Sequence, residues 1–151
     1  MALDFSSAAL LQARAVPVFR GFLQGDIFRL PLRDSSVTGV WNLGVMEHFS
    51  PADTRSILEE FRRILKPGAH AILFWPPEFG SSRWVLGPLE RWKSRKGRPV
   101  FRFFPDEVNR LRSKKHARTA LAEAGLESAA IAFNLRDGLI HVVVVARKPV
   151  S

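Results

Sequence analysis

At 151 residues and 17.0 kDa, with 46% hydrophobic and 25% charged residues, the chain has the length and composition of one globular domain, which excludes disorder and collagen-like repetition. The absence of cysteine excludes a disulfide scaffold, a thiolate metal site and a cysteine nucleophile, and His48, His70, His116 and His141 share no ligand spacing, so no metal site is expected. The net charge of +9 is local: residues 83–118 carry twelve basic and three acidic side chains and hold the whole excess.

In chain order, Met1–Ser6 reads as the tail of a strand and Ser7–Arg14 as a short helix capped by Ser6 or Ser7, with Ala8, Leu11 and Ala15 on one stripe. Val18–Leu23 is a predicted strand closed by Gly25-Asp26, and Val37–Val45 is another. Pro51–Leu65 is a predicted helix, with Ser50 as cap, proline in the first turn and Ile57, Phe61, Ile64 and Leu65 on its apolar face. Lys66-Pro67-Gly68 should stop it, and Ala69–Trp75 should be a strand ended by Pro76-Pro77. Residues 78–112, rich in arginine, tryptophan and phenylalanine, break the rhythm and read as a basic, aromatic insertion or substrate cap, with a short helix over Pro88–Lys96. Ser113–Ala124 is a predicted helix capped by Gly125, and Glu127–Phe133 and Leu139–Arg147 are strands joined by about five residues. The longest apolar run, Leu139–Ala146, is far shorter than the roughly 20 residues of a membrane span. The N-terminus lacks a signal-peptide pattern, so the cytoplasm is the expected location.

Alternating strands and helices predict an α/β fold: a Rossmann-like three-layer sandwich whose mostly parallel sheet is covered on both faces. A connection of about five residues is too short for a parallel crossover, so the last two strands must form an antiparallel pair. Ligands of open α/β sheets bind beyond the carboxyl ends of the strands. Four such ends are legible: Asp4-Phe5-Ser6, Gly25-Asp26-Ile27, Asn42-Leu43-Gly44 and Trp75-Pro76-Pro77. At these ends Asp4 is placed to accept from ribose hydroxyls and Asp26 from an exocyclic amine, while Phe5 and Ile27 could sandwich a flat base. Each aspartate reads equally as a turn or cap residue.

The order of these pieces carries more than any one of them. Gly25 to Val37 (GDIFRLPLRDSSV) resembles the "GD-small-x-x-LPF-x-D-x-S-F-D" passage of class I S-adenosylmethionine-dependent methyltransferases. Val45-Met46-Glu47-His48-Phe49 is similar to that family's "V-L-E-H", and Phe61–Ala69 to its "R-x-L-K-P-G-G" turn. The resemblance runs from residue 3 to about 76 and returns at 113–148. It implies that S-adenosylmethionine is the cofactor: Asp4 on the ribose, Phe5 against the adenine, Asp26 on the adenine amine, Ile27 beside the ring, and the backbone of Asn42 and Leu43 on the methionine moiety. Glu47 and His48 would face the transfer site, His48 as a general base or else a packing residue, Glu47 as a substrate-orienting or cap-bonding one. The family's glycine-rich loop would precede Asp4 by roughly 20 residues, and no G-x-G-x-G occurs in the chain. The chain thus reads as a methyltransferase domain truncated of its first strand, glycine loop and first helix, with cofactor affinity lowered tenfold to a hundredfold, about 1.4 to 2.8 kcal/mol. The missing central strand leaves backbone groups unpaired, so the flanking strands close up, a second chain completes the sheet, or the N-terminal part frays.

The expected activity is methyl transfer to a small-molecule or lipid-like acceptor. The alternative is a non-catalytic, partner-dependent module on the same fold whose basic 83–118 patch binds an anionic membrane surface. Val85, Leu89 and Trp92 recur at helical spacing beside Arg91, Lys93, Arg95 and Lys96, which suits an interfacial helix, a lid, or a small packed helix with a solvated face. Nucleic acid, gripped by Arg95, Lys96 and Arg98 with Phe101, Phe103 and Phe104 stacking, ranks below these readings.

Overall fold

The structure, a computed structural model, describes residues 1–78, 108–133 and 141–150. The expected helix at Pro88–Lys96 and most of the 78–112 insertion lie outside the described residues. The elements are β1 (Ala2–Asp4), α1 (Ser7–Ala13), β2 (Phe22–Gln24), β3 (Val37–Leu43), α2 (Pro51–Ile64), β4 (Leu65–Trp75), α3 (Lys114–Glu123), β5 (Glu127–Ala132) and β6 (Val142–Arg147). A single 3-10 turn, Met46–His48, follows β3.

Side-chain oxygens set the start of all three helices. Ser6 accepts from Ala9 N at 3.3 Å, Ser50 from Asp53 N at 3.2 Å and Ser113 from His116 N at 3.1 Å, each filling one of the donors a helix N-terminus leaves open. In α2 the buried Ile57, Leu58, Phe61 and Ile64 form one stripe, which packs on the sheet.

Two predicted boundaries differ from the structure. The strand expected over Val18–Leu23 is only Phe22–Gln24, because the chain around Pro17 is a turn in which Phe19 N donates to Val16 O at 3.2 Å. Proline fixes φ and supplies no N–H, so a ladder cannot run through it. The Lys66-Pro67-Gly68 stop lies inside β4 rather than before it: α2 ends at Ile64 and Leu65 is already extended. Pro67 is tolerated because the ladder breaks there, jumping from Val37↔Leu65 to Gly39↔His70, while Gly68 N donates to Lys148 O at 2.9 Å.

The strands form two sheets, a parallel pair β1-β2 and a four-stranded sheet in the order β3-β4-β6-β5. β3 and β4 are parallel, while β6 is antiparallel to both β4 and β5, which gives the expected closing pair. The core lies on one face of the larger sheet, where Ala71, Leu73, Trp75, Val142, Val144 and Ala146 meet α2 and α3. On the other face Trp41 is 57% and Leu43 54% exposed, so among the described residues the sheet is covered on one side only. The flanking strands have not closed up. β1 and β3 line a cleft of about 200 Å³ between the two sheets.

The chain between the sheets is held by one arginine. Arg63 of α2 donates to Leu32 O at 2.8 Å and Leu30 O at 3.0 Å, and pairs with Glu60 at 2.7 Å and Asp34 at 2.6 Å. Glu60 also accepts from Leu30 N at 2.6 Å, so both ends of the Leu30 peptide are tied to α2. The Arg63 hydrogen bonds hold the Glu60 carboxyl below its ordinary pKa of 4.5, against the opposing cost of burial. Arg63→Ala strips a donor from two carbonyls and two carboxylates, and should lower the unfolding free energy by about 2–3 kcal/mol in urea titration. Because the Glu60 pKa falls on folding, its contribution is present above pH 4.5 and is lost as the pH drops through the folded value. Wild type should therefore lose stability below pH 4.5 more steeply than Glu60→Gln, which is read from denaturation midpoints across that range.

Candidate functional site

The carboxyl ends of the strands share one rim. Phe28, just past β2, and Phe49, just past β3, meet edge to face with ring centroids 5.4 Å apart, which joins the two sheets across the cleft at that end. Asp4 and Asp26 lie on the β1-β2 side. Asp4 is the register partner of Gln24, and Asp26 follows two residues later. Each carboxylate uses Oδ1 to fix its own turn, Asp4 accepting from Ser6 N at 2.8 Å and Asp26 from Phe28 N at 2.9 Å. Both residues are exposed, and the second oxygen of each faces no hydrogen-bond donor among the described residues. Gly25 is required between them, since a Cβ there would stand 2.6 Å from Pro31 Cδ.

Across the cleft stands Asn42. It is 9% exposed, it lines the cleft with Ile27 and Val45, and neither its amide nitrogen nor its amide oxygen has a hydrogen-bond partner. A buried primary amide with nothing to bond costs about 1–3 kcal/mol, so the residue is explained better by a ligand than by packing. Leu43, one step along the pleat, points to the opposite open face and leaves only its backbone on the rim. Phe5 is 77% exposed and packs over nothing, although its carbonyl accepts from Gln24 Nε2 at 3.0 Å.

The turn after β3 separates the two remaining candidates. Gly44, at φ +71°, reverses the chain, which places His48 in solvent at the rim and buries Glu47 to 5% exposure. The carbonyl of Glu47 accepts from Val108 N at 2.8 Å and Asn109 N at 3.1 Å, so this residue anchors the strap 108–111 beside the rim. Asn109 secures the strap further, donating to Thr54 Oγ1 at 2.9 Å and accepting at its carbonyl from Trp75 Nε1 at 2.8 Å. The sequence reading missed this network and the Arg63 clamp. Its signal, buried polar residues needing each other, lies in tertiary proximity over 34 to 55 residues of chain.

Of the basic segment only 108–118 is described. There Arg112 stands 3.9 Å from Glu78, and His116 accepts at Nδ1 from Arg112 N at 3.3 Å while its ring leans on Trp75. Burial, then the Arg112 charge, hold the imidazole pKa below its ordinary value of 6.5. Among the described residues there is no cluster of metal ligands and no helix long and apolar enough to cross a membrane.

A methyltransferase domain family matches residues 1–73 of the chain. No curated protein matches the sequence. Among solved structures, an S-adenosylmethionine-dependent methyltransferase of Methanosarcina mazei is 18% identical with a TM-score of 0.68, over 99% of this chain and 81% of that one. A Haloferax volcanii chain assigned as a methyltransferase, in complex with the Trm112 methyltransferase activator, is 23% identical with a TM-score of 0.65, over 97% and 70%. A Burkholderia thailandensis 1,6-didemethyltoxoflavin N1-methyltransferase, holding 1,6-didemethyltoxoflavin and S-adenosylhomocysteine, is 14% identical with a TM-score of 0.65, over 98% and 60%. At these identities the likeness establishes the fold.

If the Asn42 amide is kept for a ligand, removing it should stabilise the free chain. Asn42→Leu is expected to raise the unfolding free energy by about 1–2 kcal/mol, read as a higher melting temperature, because an apolar side chain of similar size carries no orphaned groups.

Proposed function

We propose, from the membership of residues 1–73 in the methyltransferase domain family, that this chain binds S-adenosylmethionine at the rim and transfers its methyl group to a small-molecule or lipid-like acceptor. The observation that carries this reading is the unsatisfied amide of Asn42 in a cleft whose wall also includes Leu3 and Ile27, the chain neighbours of two exposed carboxylates, Asp4 and Asp26, each with one oxygen to spare. These donor and acceptor groups fit a nucleoside: Asp4 takes the ribose hydroxyls, Asp26 takes the exocyclic amine, and Ile27 lies against the base. Asn42 supplies both a donor and an acceptor to the amino-acid end, beside the backbone of Leu43. Phe5 serves the adenine only by swinging inward from its exposed position.

When bound, the cofactor supplies a methyl group on a sulfonium, which an acceptor nucleophile takes in line. The protein's part is alignment and the fate of one proton. In this reading His48, exposed at the rim, receives that proton on its imidazole. Glu47 acts by position, with its carbonyl holding the 108–111 strap against the rim. A second chain that completes the sheet is part of this reading. The Haloferax volcanii relative, held with an activator, supports it as a precedent for the fold.

Calorimetric titration with S-adenosylhomocysteine tests the proposal, with micromolar binding expected. Asp4→Ala and Asp26→Ala should each weaken that binding by about 1–3 kcal/mol, as loss of a charge-assisted hydrogen bond does. Unchanged affinity in both variants would refute the assignment of the rim. Once an acceptor is in hand, His48→Gln should lower kcat while leaving KM for the cofactor unchanged.

A further inference from the structure

A second cavity, of about 290 Å³, is bordered by Pro51 at the start of α2, His116 in the first turn of α3, and Glu78, Asn109, Arg110 and Arg112. It shares no lining residue with the cleft between the sheets. Its surroundings are basic: residues 108–118 hold Arg110, Arg112, Lys114, Lys115 and Arg118 and no acid, and Glu78 is the one carboxylate among the lining residues. The Arg112 guanidinium makes no hydrogen bond among the described residues. Its Nε stands 3.9 Å from Glu78 Oε2 with both side chains more than half exposed, and an ion pair so loose and wet contributes little. Asn109 is only 5% exposed, and its Nδ2 donates one hydrogen to Thr54 Oγ1 at 2.9 Å, which leaves the other without an acceptor among the described residues. Half of a buried amide is thus unspent on the wall of a basic cavity. The backbone that carries these groups is already fixed. His116 Nδ1 accepts from Arg112 N at 3.3 Å, and Val108 N and Asn109 N both donate to Glu47 O.

We propose that this cavity is a phosphate-binding site, holding the phosphate group of a soluble phosphomonoester or of a lipid headgroup. Arg112 supplies charge and a planar fork of donors, and the spare Nδ2 hydrogen of Asn109 supplies a fixed donor from the wall. Arg110 adds a second positive charge, with its Nη1 3.5 Å from Pro77 O. The first turns of α2 and α3 border the same space and add the positive ends of two helix dipoles. Phosphate fits this set better than carboxylate does. Donors on several residues suit an anion with three free oxygens, whereas a single arginine fork satisfies a carboxylate. Glu78 already offers Arg112 one negative charge, so a ligand that displaces it has to bring more than one. The site uses none of the rim residues and stands whether or not the cofactor reading holds.

The probe is inorganic phosphate, titrated into the full chain at constant ionic strength and followed by nuclear magnetic resonance. Saturable binding with a dissociation constant of about 1 mM or tighter is expected, with the Asn109 side-chain amide and the His116 ring resonances moving along the binding curve. Arg112→Gln should weaken binding by about tenfold or more, because the fork and its charge are lost together. Lys115→Gln removes the same charge from α3 at a position that does not line the cavity, and should change affinity by less than about twofold. Both side chains are exposed, so the melting temperature of each free variant should match wild type. Absence of saturable binding, binding that leaves the Asn109 amide unmoved, unchanged affinity in Arg112→Gln, or equal weakening in the two variants overturns the proposal. Glycerol 3-phosphate and vesicles of phosphatidylcholine with phosphatidic acid then separate the two sources. Arg112-dependent binding of the first supports a soluble ester, Arg112-dependent binding of the vesicles alone supports a headgroup, and binding of neither overturns a phosphate ester as the ligand.

Discussion

The pleat of β3 and β4 governs the molecule. Residues at alternate positions of a strand face opposite ways, so Ala71, Leu73 and Trp75 go to one side while His70, Ile72 and Phe74 go to the other. α2 covers the first side with Ile57, Leu58, Phe61 and Ile64, and no helix among the described residues covers the second. Everything else follows from which side is dry. The core forms there, the strap 108–111 is tied down there through Asn109 and Thr54, and Asn42 is buried with its amide toward the cleft. One step along β3, Trp41 and Leu43 are left in water.

The rim illustrates how a binding surface is held at low cost. Asp4 and Asp26 each spend one oxygen on their own turn, which fixes the carboxylate without neutralising it. Gly25 keeps the turn tight against Pro31, and the Arg63 clamp holds Leu30 and Leu32 below it. The rim is therefore preorganised on the β2 side by α2, an element that contributes nothing to the surface itself. Asn42 is the counterpart: a buried amide whose nitrogen and oxygen both lack a hydrogen-bond partner in the free chain.

The two sheets and the cleft between them express one requirement, that strand edges be paired or shielded. In this chain the pair β1-β2 stays attached through chain connection, through the Phe28–Phe49 contact and through the Arg63 clamp rather than through a ladder to β3.

Much of this was legible in the sequence. Ser50-Pro51, the stripe Ile57, Phe61 and Ile64, and the cap at Gly125 specify their helices through local hydrogen bonding and period. The short link before β6 implied the antiparallel pair, and the ordered passages around Gly25-Asp26, Glu47-His48 and Lys66-Pro67-Gly68 indicated the family. The same local logic misread Pro67, because whether proline is tolerated depends on where the neighbouring ladder breaks. The sequence by itself determined most of the described elements and their order, which depend on near neighbours and spacing. Only the tertiary structure decided that Glu47 is buried while His48 is free, that Asn42 lacks a partner, that Arg63 binds the Leu30 loop, and that β1 and β3 stand apart. These are contacts between residues far apart in the chain, set by packing that no local pattern encodes.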